Sequence, residues 1–310
     1  MVQISVITPV RDGRAFLGEA IASVRAQSVG DWEMLIVDDG SSDGSAALAA
    51  AAARADPRIR PMVAGARRGA AAARNAGLQA ARGAFVALLD ADDLFEPDKF
   101  AIELAAMAAH PSAAMVYGPT LWWWPDAARP PWPEPLQRLA GRLYPPPELF
   151  VRVLVDRGFD APCTCGVLMR RSAIEAVGGF EEAFSLYEDQ TLWAKLMLRW
   201  PAHVHATPVA RYRQHAASTS ARAVRDGCYH PKDPHAARAE FLLWAAEEAK
   251  AAGRWSEARV RRALRLALAA YPERGGRLTA LDRGVLLKRR LEAGAARLGQ
   301  RWPTARHLSG

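Results

Sequence analysis

The feature that most constrains this chain is an alternation, over its first 118 residues, of short apolar runs with segments of helical period. Residues 4–9 (ISVITP) read as a buried strand, followed by the turn signal Asp12-Gly13. Phe16, Leu17, Ala20, Ile21 and Val24 then fall on one helical face before a second strand, 32–37 (WEMLIV), which stops at DDGSSDGS. An Ala-rich helix over 45–55, a weak strand over 59–63 and another Ala-rich helix over 71–81 follow. The run 84–89 (AFVALL) ends at Asp90-Ala91-Asp92-Asp93, Pro97 opens a helix over 98–109, and 114–117 is one more strand. Such an alternation predicts an α/β fold: a Rossmann-like, mostly parallel sheet with right-handed crossovers and helices on both faces.

The texture changes after Gly118. Leu121-Trp122-Trp123-Trp124-Pro125 and the Pro-rich stretch to Pro147 carry neither period and read as an irregular connection. Periodicity returns over 149–155, 166–170 and 190–199, where Leu192, Trp193, Leu196 and Met197 make one face. Beyond Ser220 the chain reads as all-helical, with breaks at 227–234, Gly253, 272–276 and Gly294. At 310 residues and 50% hydrophobic the chain can bury a full-sized core. No stretch of about eighteen apolar residues and no signal-peptide pattern occur, so the expectation is a cytoplasmic protein. Cys163, Cys165 and Cys228 do not make a disulfide framework, and reduced thiols are expected.

The charge of +8 is unevenly placed: residues 219–310 hold 19 Lys and Arg against 9 Asp and Glu, whereas residues 1–218 hold 22 against 24. A neutral first two thirds disfavours a nucleic-acid partner. In open parallel sheets, ligands bind where the strands' carboxyl ends and the helix N-termini converge. Two predicted strands end there in acidic clusters, Asp38-Asp39 and Asp90, Asp92 and Asp93. Clustered carboxylates repel unless cations, hydrogen bonds or protonation offset them, and oxygen ligands select a hard ion, Mg²⁺ or Mn²⁺. The same aspartates also suit ordinary turn capping. No G-x-G-x-x-G follows the first strand, and no G-x-x-x-x-G-K-[ST], H-E-x-x-H or G-x-S-x-G occurs.

Five ordered blocks, ISVITPVRDG, LIVDDGSSDGS, ARNAGLQAARGAFVALLDADDLFEPDKF, GGFEEAFSLYEDQTLWAKLML and YRQHAAST, resemble family 2 glycosyltransferases of GT-A fold over residues 2–219. The resemblance implies inverting transfer of a sugar from a nucleoside-diphosphate donor, a UDP-sugar favoured, to a hydroxyl of a carbohydrate or lipid-linked acceptor. It implies a donor-binding half over 1–118, an acceptor-binding half of the same domain over 119–218, and a basic helical region over 219–310. By that likeness Thr8, Pro9 and Val10 lie against the base and ribose, and Asp39 reads the base with Asp38 beside it. Arg74 and Asn75 approach the donor, Asp90 and Ala91 lie near the ribose, and Asp92 is the direct metal ligand. Asp189 of Glu188-Asp189 is the expected general base, Gly178-Gly179 form the preceding turn, and His215 is a metal or diphosphate neighbour.

Asp189 also stands where a helix N-cap would be, and the two roles are compatible. His203 and His205 alternate as in a strand, and no spacing rule joins them to Cys163 and Cys165 as a metal site. Trp122, Trp123 and Trp124, with Trp132, suit an acceptor's rings, and strand alternation is expected to expose at least one of the three. Leu264, Leu268, Leu281, Val285, Leu286 and Leu291, interleaved with Arg261, Arg262, Arg265, Arg283, Lys288, Arg289 and Arg290, read as basic amphipathic helices. Such helices suit peripheral contact with the inner membrane face or the solvated side of ordinary packed helices. Two rival readings are a non-catalytic nucleotide-sugar-binding protein of the same fold and, more distantly, a nucleic-acid binder acting through the tail.

Overall fold

The first strands arise where the apolar runs are longest. A computed structural model describes residues 2–65, 68–125, 130–156, 161–230 and 233–271. The chain begins β1 (Ile4–Val10), α1 (Arg14–Arg25), β2 (Trp32–Asp38), α2 (Ser45–Ala55), β3 (Ile59–Val63), α3 (Ala70–Ala80) and β4 (Phe85–Leu88). It continues through β5 (Leu94–Phe95), α4 (Lys99–Ala109), β6 (Met115–Tyr117), β7 (Thr120–Trp123), β8 (Trp132–Pro133) and β9 (Arg142–Tyr144). After a π-helical turn at Phe150–Val155 come β10 (Val167–Arg170), α5 (Arg171–Ala176), α6 (Glu188–Arg199), β11 (Ala202–Val204) and β12 (Ala210–Arg213). Among the described residues three helices follow, α7 (Thr219–Arg225), α8 (Ala236–Ala251) and α9 (Ala258–Leu268).

Eight strands form one sheet in the order β3-β2-β1-β4-β10-β6-β11-β9. The first four run parallel, in register Thr8 to Ile36 and Ile7 to Leu88. One face packs Val6, Met34 and Ile36 against Leu17, Ile21 and Val24 of α1 and Phe100 and Met107 of α4. Burial of each such side chain contributes roughly 1.5–3 kcal/mol before entropy is set against it. On the other face α3 lies so close that a Cβ on Gly77 would stand 2.5 Å from Ile7 Cγ2. Helices therefore cover both faces, as the alternation predicts.

The large sheet is mostly parallel, with antiparallel pairing confined to its second half. β10 runs antiparallel to both β4 and β6, so the sheet is mixed. The stretch expected to be irregular instead contains β7, β8 and β9. β7 pairs parallel with β12 and antiparallel with β8, opposing Trp122 to Trp132, in a second sheet of order β5-β12-β7-β8. These strands span two to four residues, too short for a period of two to show among Trp and Pro. Trp122, Trp123 and Trp124 are all partly buried, against the expectation of an exposed one, because Trp124 lies past the end of β7.

The chain divides into two units, Met1–Gln214 and His215–Gly310. In the second, Ser218 caps α7 by accepting a hydrogen bond from the Ala221 amide at 3.2 Å. Phe241, Leu242 and Ala245 of α8 and Val260, Ala263 and Leu264 of α9 are buried where those helices pack together. The expected helical positions Leu281, Arg283, Val285, Leu286, Lys288, Arg289, Arg290 and Leu291 lie outside the described residues. Among the described residues no helix is long and apolar enough to cross a membrane.

Candidate active site

The loops after β1, β2 and β4 meet at the carboxyl edge of the parallel strands. Asp12, in the left-handed region at φ 50°, accepts the Ser42 amide at 2.7 Å. Asp43 accepts the amides of Arg14 at 2.8 Å and Ser45 at 2.9 Å, so it caps the first residues of α1 and α2 together. Hydrogen bonds, led by the Ser42 amide, hold Asp12 below the usual carboxylate range. For Asp43, partial burial opposes the charge, but bonds from Ser45 and Arg14 outweigh it and its pKa falls. A Cβ on Gly13 would sit 3.3 Å from that of Ala91, which shows how near the first loop comes to the D-x-D turn.

Thr8, Pro9 and Val10 oppose Ile36, Val37 and Asp38 across the β1–β2 ladder, and the Val10 carbonyl accepts the Asp39 amide at 2.9 Å. Asp39 is buried, and both its oxygens take backbone amides at the entrance to α3, Arg68 at 2.8 Å and Gly69 at 2.9 Å. Asp38 accepts the Ser41 amide at 3.2 Å. The second strand's acidic pair therefore shapes the loop into α3, leaving further lone pairs on Asp39 as acceptors.

Arg74 carries the link between distant blocks. Its side chain is 3% exposed, and its guanidinium donates to Asp90 Oδ1 at 2.7 Å and to Glu188 Oε1 at 3.0 Å. Burial works against the charge, yet the two carboxylates more than restore it and drive the pKa upward. The structure thus brings Arg74, Asp90 and the Glu188-Asp189 pair together. Asn75 does something else: it donates to the Phe180 carbonyl at 3.0 Å and accepts the Phe180 amide at 2.9 Å, fastening α3 to the Gly178-Gly179 turn. Gly179, at φ 75°, leaves no room for a side chain, since a Cβ would lie 2.6 Å from Asn75 Oδ1. At this point Asn75 thus joins α3 to the Phe180 backbone.

Asp189 is not the cap. Tyr187, in the left-handed conformation at φ 68°, occupies that position, and Glu188 and Asp189 stand in the first turn of α6. Asp189 Oδ1 accepts the Gln190 amide at 2.7 Å. Burial, then the charge of Glu188, raises its pKa to about 7, with Arg74 and the Gln190 amide opposing the rise. Asp93 also takes up protons more readily than a free carboxyl, because burial and the charges of Asp92 and Asp90 disfavour its ionised form.

Sequence reasoning overlooked Arg213, whose Nε donates to the Asp92 carbonyl at 2.7 Å and whose amide donates to Asp93 Oδ1 at 2.9 Å. An arginine two residues before His215 was the available signal. Trp123 lies beneath that guanidinium, 4.4 Å from ring centroid to Cζ. Trp122 donates to Glu134 at 3.3 Å and meets Trp132 and Tyr212 edge-on, with Trp124 at 6.5 Å. His215 begins the second unit, its carbonyl accepting the Ser218 amide. His203 stacks on His110 at 4.3 Å, and His205 lies 3.8 Å from Glu103, while Cys163 donates to Glu134. Among the described residues no group of three His, Cys, Asp or Glu side chains is placed to hold a metal by itself. The oxygen-only acidic turn fits a hard ion that a diphosphate also ligates, since carboxylates alone would repel such an anion.

Similarity to known proteins agrees with this geometry. The chain is 32% identical over 228 residues to the O-antigen biosynthesis protein RfbC of Myxococcus xanthus, covering 71% of this chain and 16% of that protein. It is 32% identical over 115 residues to the Escherichia coli UDP-Glc:alpha-D-GlcNAc-diphosphoundecaprenol beta-1,3-glucosyltransferase WfgD, covering 37% of this chain and 44% of that one. The chain spans less than half the length of the curated relatives it matches. Staphylococcus aureus TarS 1-349 in complex with UDP-GlcNAc superposes with a TM-score of 0.65 at 17% identity, over 87% of this chain and 72% of that one. The mannosyltransferase PcManGT of Pyrobaculum calidifontis, in complex with GDP-Man and Mn²⁺, gives 0.54 at 18% identity, over 96% and 80%. These likenesses show a shared α/β fold. Residues 5–178, more than half the chain and inclusive of both acidic strand ends, match the family described as Glycosyl transferase family 2, to which this chain belongs.

Proposed function

We propose that the chain is an inverting glycosyltransferase that moves a sugar from a nucleoside-diphosphate donor, a UDP-sugar favoured, to a hydroxyl of a carbohydrate or lipid-linked acceptor. The observation that carries this reading is the buried Arg74, which ties Asp90 of the donor edge to Glu188 beside Asp189. Residues 1–118 bind the donor, with Asp39 and Asp38 at the base, Thr8, Pro9 and Val10 along the nucleoside, and Asp90 and Ala91 at the ribose. Residues 119–218 present the acceptor, and the partly buried rings of Trp122, Trp123 and Trp124 offer it their remaining edges. Residues 219–310, basic in sequence, supply peripheral contact with an anionic membrane. Curated relatives named for O-antigen biosynthesis and for a diphosphoundecaprenol substrate support an envelope acceptor.

Asp189 Oδ1 is engaged by the Gln190 amide, which leaves Oδ2 to take the proton of the acceptor hydroxyl. The acceptor oxygen forms its bond to the anomeric carbon as the bond to the diphosphate oxygen breaks, with inversion. Positioned proton transfer of this kind contributes about 10² to 10⁴ in rate. Asp92 would hold a Mg²⁺ or Mn²⁺ ion, which would offset charge on the leaving diphosphate. PcManGT, a fold relative, holds Mn²⁺ with its donor.

A thermal-shift panel of UDP, GDP, CMP and dTDP with Mn²⁺, Mg²⁺ or EDTA tests this on the wild type and Asp92→Ala. A nucleotide at a hundred times its Kd stabilises by about 2.7 kcal/mol, roughly 5–10 °C. One nucleoside diphosphate is expected to give a metal-dependent shift that Asp92→Ala loses. No shift from any of them overturns the reading, and an Asp189→Asn variant as fast as wild type would favour a binding protein of the same fold.

A further inference from the structure

Arg213 ends β12, in register with Trp123 of β7, and its side chain is 4% exposed. A buried guanidinium is retained only where its donors are met. Here Nε donates to the Asp92 carbonyl at 2.7 Å and Nη2 to Glu19 Oε2 on α1 at 2.9 Å. Its Cζ lies over the rings of Trp123 and Phe16, 4.4 and 4.8 Å from their centroids. From the other side, the residue's own amide is taken by Asp93 Oδ1 at 2.9 Å. The turn that presents Asp92 is closed within itself by the Asp93 amide on the Asp90 carbonyl at 3.0 Å. A single residue about 120 positions away in sequence thus fastens both the backbone of Asp92 and the side chain next to it.

We infer that Arg213 is a positioning residue for the D-x-D turn, fixing the backbone from which Asp92 meets a metal-bound diphosphate. The inference rests on the donor reading proposed above. Arginine suits the role where lysine does not: a planar cation lies over aromatic rings and still delivers directional N–H bonds from its edge. The Trp123 face taken by this contact is in turn unavailable to an acceptor, which leaves it only that indole's edge.

The test measures Mn²⁺ alone by electron paramagnetic resonance, and UDP and GDP by calorimetry across a Mn²⁺ titration, well below each protein's melting point. Arg213→Lys, still folded, is expected to need about 10- to 100-fold more Mn²⁺ for half-maximal nucleotide binding, as when groups that orient metal ligands are lost. Glu19→Ala, at an exposed position that removes only the outer tether, is expected to shift the same midpoint in the same direction by about threefold with its melting temperature unchanged. A purely structural Arg213 would lower the melting temperature and leave the Mn²⁺ midpoint where it was. Midpoints within about twofold of wild type in both variants overturn the inference. If Arg213→Lys does not fold, Glu19→Ala decides by the same criterion. Wild-type protein that binds neither nucleotide with Mn²⁺ overturns the functional reading and this inference with it, an outcome distinct from variants that bind as wild type does.

Discussion

Two acidic regions lie at the same sheet edge and have opposite appetites for protons. In the loops after β1 and β2, Asp12 and Asp43 accept two or more hydrogen bonds each, mostly from backbone amides, and their pKa values fall. At the start of α6, Asp189 has one such amide and a carboxylate neighbour, and its pKa rises to about 7. Both regions carry neighbouring acids; the difference lies in how many donors meet each carboxylate and how far it is buried. A carboxylate saturated by amides is a fixed anion that sets the shape of a loop. One that is partly buried beside another acid, with a shared arginine behind it, is fit to accept a proton near neutral pH.

The largest effect should come from removing that proton acceptor. Asp189→Asn is expected to lower kcat by about 10² to 10⁴ while nucleotide affinity holds, read from initial rates and calorimetry. In the wild type, kcat/KM should rise about tenfold per pH unit up to about pH 7 and level off above, because only the ionised Asp189 takes the acceptor's proton. Stability runs the other way. The folded chain keeps this proton to about pH 7, whereas the unfolded chain releases it near 3.8, so this group destabilises the fold increasingly as pH climbs between those values. Asp189→Asn should therefore melt at or above the wild-type temperature at pH 8. A slow variant that also melts lower would place Asp189 with the structural acids and collapse the distinction.

How far such roles can be read in the sequence depends on the range of the contacts that make them. β1, β2 and β4 are legible because each is a stretch of four to seven mostly apolar, often β-branched residues bounded by turn signals. β5 and β8, two residues each, leave no period to detect. The acidic strand ends were visible as candidates, and so was the Glu188-Asp189 pair. The cap of α6 was not, since the usual preference for Ser, Thr, Asp or Asn points to Asp189, while the fold places Tyr187 there at positive φ. Nor could local pattern find Arg74 on Glu188 or Arg213 on Asp92, pairs more than a hundred residues apart.

Asp39 sharpens the comparison from the saturated side. Replacing it by Asn turns one of its two oxygens into an NH₂ that faces a backbone amide donor, Arg68 or Gly69. Leaving that buried amide unmet is expected to cost about 1–3 kcal/mol in a urea melt. Nucleotide affinity should fall with it, about tenfold for each 1.4 kcal/mol transmitted to the site, while kcat at saturating donor changes far less. Asp39→Asn with wild-type stability and reduced kcat would show that this acid belongs to the chemistry and not to the loop.

The smallest effect is the most direct check on the contrast in proton affinity. Asp43 caps α1 through the Arg14 amide and α2 through the Ser45 amide and hydroxyl, and Asp43→Ala should lower stability at pH 7 by about 1 kcal/mol with kcat retained. Its pKa is depressed in the folded chain, so its contribution is fully present above 3.8 and is lost as pH falls through the lower folded value. The gap between wild type and Asp43→Ala should therefore close in acid, measured as urea midpoints from pH 7 down to about pH 2. The corresponding gap for Asp189→Asn should open between pH 4 and 7, with the variant the more stable. Asp43 and Asp189 would then carry pH dependences of opposite sign, which hydrogen-bond supply to the one and burial of the other beside Glu188 account for.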